Sequence, residues 1–469
     1  MISGDKAKAL QAFLGSLPEP MAARLAKAVE VDRLADGKLL PHALILDALR
    51  PALRRIAHAE RTPAPLRLFC EPFQDLLTDA PLRKEKQKGR ISRASVPLVW
   101  NWLCQTLTPD AAQNFALGVK RAVLGYHMEE AQARAAEFWP VASAAILSAL
   151  ENETSRKAAR RALDGDVVLE DAREMALLLG VAPEVRELQQ TLPRLTPQLT
   201  DDLLWGLRGI YDRLAETSPD AAPYVAVIAM NRLARPWEAL KLPLLISRRT
   251  QDTLISSTDM GLVGEIIFGE IEDHATAIRA AKHPNFDADA LVAHVGRFAV
   301  LSTGIVKEVE MRRDGRWGQR LMKDRSAVAD VMEGLVRRAP KEILAAIPTQ
   351  RVGGFAGGPR SPDLTRAADS EKSERALRYA KLVVGCKPFA AAASFGAAVK
   401  DSCDEVSVAL KSYSEDLVRE LRAAEGDKRA NAEMYFSVAI ELTSVLFSPE
   451  EGEFLRRRGR AAMNVPAAA

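Results

Sequence analysis

The sequence predicts an all-α protein of two or three packed helical units, with an irregular α-solenoid as the variant of that class. Three observations carry this expectation. Helix-start punctuation recurs along the chain, apolar residues fall at helical spacing between the starts, and no Asn-Gly or Asp-Gly turn offers a hairpin. Ala, Leu and Arg, all good helix formers, are abundant, while aromatic residues are only 6%, so the core is expected to be mostly aliphatic.

The punctuation consists of Thr108-Pro109-Asp110, Thr196-Pro197-Gln198, Ser218-Pro219-Asp220, Ser361-Pro362-Asp363 and Ser448-Pro449-Glu450. In each, a hydroxyl can accept from an orphan backbone N–H, and proline at the first helical position has no donor to waste. Ser448 with Glu451 completes a capping box and predicts a last helix running to Arg460. The rows Leu203, Leu207, Ile210, Leu214; Leu291, Val295, Phe298, Ile305, Val309; and Val406, Leu410, Tyr413, Leu417, Leu421 each define one face of a helix. Short β-branched runs, Val167-Val168 and Tyr224 to Ile228, also fit helices. Little or no sheet is expected.

With 469 residues the chain exceeds the roughly 250 to 300 at which one core stops growing. Pro- and Gly-rich breaks at 191–200 and 348–362 divide it into an N-terminal unit over 1–190, a middle unit over 201–347 and a C-terminal bundle over 363–462. The first contains an irregular basic zone at 82–93. No fixed repeat period is visible.

At 48% hydrophobic and 27% charged, the composition is that of a folded protein. A net charge of +3, from 65 basic and 62 acidic residues, excludes a whole-molecule field that would gather polyanions, so any such binding must be local. The N-terminus lacks a secretory pattern, and the apolar runs at 224–230 and 388–399 fall short of the ~18 residues of a membrane span. Cys70, Cys104, Cys386 and Cys403 form no Cys-x-x-Cys pair and read as reduced thiols. The expected setting is the cytoplasm, without a transmembrane segment.

Four groups are candidates for chemistry or binding. The segment Val352-Gly353-Gly354-Phe355-Ala356-Gly357-Gly358-Pro359 has neither a preceding strand nor a Gly-Lys-Ser/Thr ending, and reads as a linker rather than a phosphate loop. Glu270 and His274 are four apart on one helix, and a turn near Pro284 would bring His294 level with His274, a set able to hold zinc or iron. Against this, neither a His-Glu-x-x-His nor a Glu-x-x-His motif is present. Arg83, Lys84, Lys86, Lys88, Arg90 and Arg93, with Trp100 and Trp102 soon after, can grip phosphates and stack bases, or can form a solvated loop. The Val406 to Leu421 row serves as a partner surface or as core.

Nucleophile motifs such as Gly-x-Ser-x-Gly are absent, and the acid pairs Asp201-Asp202 and Glu450-Glu451 are explained as first-turn residues of helices. No catalytic residue and no cofactor is expected. By elimination the chain is expected to be a non-enzymatic helical adaptor or scaffold whose partner is another protein or a second copy of itself. The rivals are a nucleic-acid-associated regulator using 83–93 and a metal-dependent enzyme or sensor built on the histidine hairpin.

Overall fold

A computed structural model describes residues 10, 13–14, 17, 19–34, 40–42, 44–49, 64–79, 85–125, 127–247, 259–351 and 360–464. It is 78% helical with almost no sheet, which makes the protein all-α. The chain forms two compact units, not three. The first comprises Met1–Thr196 and Thr200–Arg232, the second Pro197–Leu199 and Leu233–Ala469.

The first unit contains α1 (Glu19–Leu34), α2 (Pro65–Cys70), a 3₁₀ segment (Glu71–Leu76), β1 (Leu77–Thr78), β2 (Ile91–Ser92) and α3 (Ser95–Trp102). It continues through α4 (Pro109–Gly125), α5 (Met128–Leu150), α6 (Glu153–Ala162), α7 (Asp166–Gly180), α8 (Ala182–Thr191), α9 (Asp201–Thr217) and α10 (Tyr224–Arg232). Helix α5 packs against α4 and α7. Their shared core holds an aromatic cluster in which Phe115 stacks on Phe138 at 4.5 Å and Phe69 meets Trp100 at 5.1 Å. The fully buried Trp139 donates from its indole to the Leu68 carbonyl, 2.9 Å away, so its one polar atom is satisfied. Leu77 pairs with Ile91 in a two-residue parallel ladder, and the 82–93 zone thus ends in a strand instead of running irregular to Pro97.

The second unit contains α11 (Lys241–Ser247), α12 (Leu262–Ala280), α13 (Ala288–Glu308), α14 (Arg316–Leu344), β3 (Thr349–Arg351), β4 (Arg360–Pro362), α15 (Ser370–Cys386), α16 (Gly396–Ala423), α17 (Gly426–Leu446) and α18 (Pro449–Met463). Two tryptophans key its helices together. A Cβ on Gly264 would meet the Trp317 ring at 2.3 Å, and one on Gly304 would meet Trp237 at 2.2 Å, so only glycine admits either indole. Helix α13 is the one described helix long and apolar enough to cross a bilayer, and half of that window is buried in the unit.

The division differs from the expected one for physical reasons. Helix α9 packs on α8, and α10 packs on the 3₁₀ segment, where buried Arg232 meets Asp75; both helices therefore belong to the first unit. The break at 348–362 separates nothing, because α14 packs along both α15 and α16 and β3 pairs with β4 across it.

The helix starts divide likewise. Pro109 and Pro449 begin helices, and Ser448 Oγ accepts from Glu451 N at 3.2 Å. Thr196, Ser218 and Ser361 do not. Thr200 Oγ1 caps α9 instead, Ser218 opens a turn before α10, and Ser361 lies in β4 with Asp369 as the cap of α15.

Candidate functional site

Of the basic segment, Arg83 and Lys84 lie outside the described residues, as does the Gly-rich 352–359. Lys86 is turned inward. Its ammonium donates to Asp171 Oδ1 and Glu174 Oε2, each at 2.6 Å, and to the Arg90 carbonyl at 2.5 Å. Lys86 is 15% exposed, and the two carboxylates are 1% and 6% exposed. The second oxygen of each carboxylate is also bonded. Asp171 Oδ2 accepts from Ser95 Oγ at 2.6 Å and from Ser92 N at 3.2 Å. Glu174 Oε1 accepts from Gly89 N at 2.7 Å and from the Tyr224 hydroxyl at 2.9 Å. Burial raises the Glu174 carboxyl above its ordinary range, opposed by the Lys86 charge and these hydrogen bonds.

The segment is therefore fastened to α7 from 86 to 95. Arg93 pairs outward with Asp79 at 2.6 Å, and Lys88 and Arg90 also have partners of their own. Lys86 is thus turned away from solvent, whereas Lys88 and Arg93 are exposed. Trp100 packs on Phe69 and Trp102 is buried, so neither is placed to stack a base.

A second buried ionic group lies in the same unit. Asp75 receives Arg232 on both oxygens, at 2.9 and 3.1 Å, together with Arg194 and Gln189. Arg232 also donates to the Leu192 and Gln189 carbonyls. A buried cation engaged in this way through all three of its nitrogens ties α8 and α10 to the 3₁₀ segment.

The structure brings Glu270, His274 and His294 together, as the hairpin geometry implies. The Nδ1 atoms of His274 and His294 stand 2.9 Å apart, and His274 Nε2 lies 3.9 Å from Glu270 Oε1. The ring centroids are 5.2 Å apart, longer than the nitrogen–nitrogen distance by two ring radii, so one N–H meets the other lone pair head on. That is a hydrogen bond between the two imidazoles. Glu270 is held by Arg297 at 2.8 Å, and no group of three or more His, Cys, Asp or Glu among the described residues is arranged to hold a metal ion. His283 hydrogen-bonds the Tyr379 hydroxyl at 2.7 Å, a structural contact beyond its position near the end of α12.

The row Val406, Leu410, Tyr413, Leu417 and Leu421 is buried throughout and faces α14, α17 and α18, so it is core and not a partner surface. All four cysteines are unpaired. Burial pushes the Cys70 and Cys386 thiols up to about 12, which keeps them protonated and poor nucleophiles at neutral pH.

The first unit also carries a cleft and an exposed indole on its surface. A cleft of about 520 Å³ runs between α5 and α8, with Trp139, Leu179 and Ala182 at its base and Arg186, Glu187 and Gln190 on its rim. The outer face of α9 presents Trp205, whose residue is 62% exposed. The sequence signal for it is the position of Trp205 off the Leu207, Ile210, Leu214 stripe. The signal for the buried lysine is Asp171 and Glu174, three apart, inside the apolar stripe of Val168, Ala172 and Met175. Acids so placed require a cation.

The chain matches no protein-family model, and comparison with curated proteins and with solved structures found no match to it.

Proposed function

We propose that the chain is a non-enzymatic helical adaptor or scaffold that binds another protein. The observation that carries this reading is Trp205, a large aromatic side chain held on the surface of a regular, capped helix. Water-exposed indole is costly to leave uncovered, and tryptophan is among the residues that dominate binding energy at protein interfaces. The adaptor reading is favoured because Lys86, one of the six cations of the nucleic-acid reading, is fastened inward, and because the two histidines of the metal reading bond to each other. The cytoplasm is the setting that belongs to this proposal, and four unpaired cysteines support it.

The test is capture of partners from the native host by tagged chain, wild type against Trp205→Ala, with quantification by mass spectrometry. Partners enriched on the wild type and lost from the variant are expected. Identical captured sets on both, or none on either, refute the reading.

A further inference from the structure

Resting on the protein-binding reading, we infer that the outer face of α9 docks a Lys/Arg-bearing segment of its partner. The charges around Trp205 point this way. Asp201 and Asp202 lie one turn before it, Asp212 two turns after it and Glu216 about one turn further. Two charges in this stretch are already neutralised, since Asp212 is held by Arg208 at 2.7 Å and Arg213 is paired with Glu187 of α8. Asp201, Asp202 and Glu216 are exposed and, among the described residues, have no counter-ion. The solvent therefore meets an indole between unneutralised carboxylates, with no unpaired cation among them.

Charge complementarity then selects the occupant. A guanidinium or ammonium can lie over the exposed indole, and its neighbours in the partner can pair with Asp202 on one side and Glu216 on the other. Fourteen residues of helix separate those two acids, so the partner segment spans about 21 Å. The face is also open to close approach. A Cβ on Gly209, one turn past Trp205, would meet nothing within 4 Å, so packing within the chain does not require glycine there. An acidic segment, DNA or RNA would bring like charge against the same carboxylates.

The experiment measures anisotropy of fluorescein-labelled octa-arginine, with octa-glutamate as the opposite charge, on the full chain at about 50 and about 300 mM salt. Octa-arginine is expected to bind and to weaken as salt rises, while octa-glutamate does not bind. Trp205→Ala should weaken octa-arginine by roughly two- to thirty-fold, the range of one cation–π contact. Asp202→Lys with Glu216→Lys should abolish its salt dependence, whereas Glu129→Lys with Glu130→Lys, on the exposed start of α5, should leave binding unchanged. All are exposed positions, and circular dichroism confirms that the variants fold.

Absent octa-arginine binding, or binding indifferent to Trp205 and to the α9 charges, overturns the basic-partner inference. The adaptor reading fails separately: it falls if Trp205→Ala captures the same host proteins as the wild type. Host partners lost with Trp205→Ala but kept by the α9 charge reversal leave the adaptor standing and remove the basic partner.

Discussion

Replacing Lys86 with Met removes one charge from a segment that reads as solvated in the sequence, and the structure makes that a severe change. The methionine keeps most of the apolar stem, so little packing volume is lost. Asp171 and Glu174, 1% and 6% exposed, then face each other without a cation. Breaking a buried ion pair by deleting one partner costs about 3 to 5 kcal/mol, because the remaining charge is desolvated and uncompensated. Here two carboxylates are stranded by one deletion, which places the expected loss at the upper end of that range. Against a typical domain stability of about 5 to 15 kcal/mol, the first unit should be partly or wholly unfolded in mild urea.

The assay is urea unfolding followed by tryptophan fluorescence and far-ultraviolet circular dichroism, with Lys157→Met as the exposed control. Lys157 is 69% exposed and pairs with Glu153 along one helix, so its loss should be within about 0.5 kcal/mol. Adding Asp171→Asn and Glu174→Gln to Lys86→Met should recover part of the lost stability, since neutral amides tolerate burial better than unpaired charges. If Lys86→Met shifts the midpoint no more than Lys157→Met, the buried network does not hold the segment, and 86–93 returns as a candidate for nucleic-acid binding.

Three further outcomes are expected. Leu410→Asp and Leu417→Asp should each unfold the second unit in circular dichroism, since both side chains are fully buried and an unpaired buried charge costs several kcal/mol; folded variants would mean that the row is not core. Gly264→Ala should lower the thermal midpoint through a loss of about 1 to 3 kcal/mol, because the new methyl overlaps the Trp317 ring; an unchanged midpoint would refute the keying of α12 to α14. Burial, with the nearby His274 second, holds His294 below its ordinary 6.5, so the unfolded chain accepts a proton that the native pair resists; stability present above that value should fall as pH drops below it, and urea midpoints at about pH 7.5 and 5.5 should show a smaller fall for His294→Gln than for wild type.

The legible part of the sequence was local. The helical rows, the Ser448 cap and the meeting of His274 with His294 come from spacing within one or two helices, where 3.6-residue periodicity fixes which side chains share a face. The starts assigned to Thr196, Ser218 and Ser361 failed because a Ser/Thr-Pro step is equally at home in a turn or an edge strand, and only tertiary packing decides among these. Lys86 and its carboxylates are separated by 85 and 88 residues, and Arg232 and Asp75 by 157, so no short-range pattern connects them.

That separation explains why charge counting misleads about which cations of this chain face solvent. The basic run 83–93 holds a lysine that the interior needs as a counter-ion, while α9 carries exposed carboxylates without a counter-ion among the described residues, in a short acidic stretch that the composition does not single out. A lysine at 15% exposure with two carboxylate partners has little field left to project into solvent, whereas an exposed carboxylate with no partner keeps its field within a Debye length of about 8 Å. The distinction is one of burial rather than residue type. Under the proposed reading, it shifts the search for a partner from polyanions attracted to 83–93 to cationic protein segments that fit the Trp205 face.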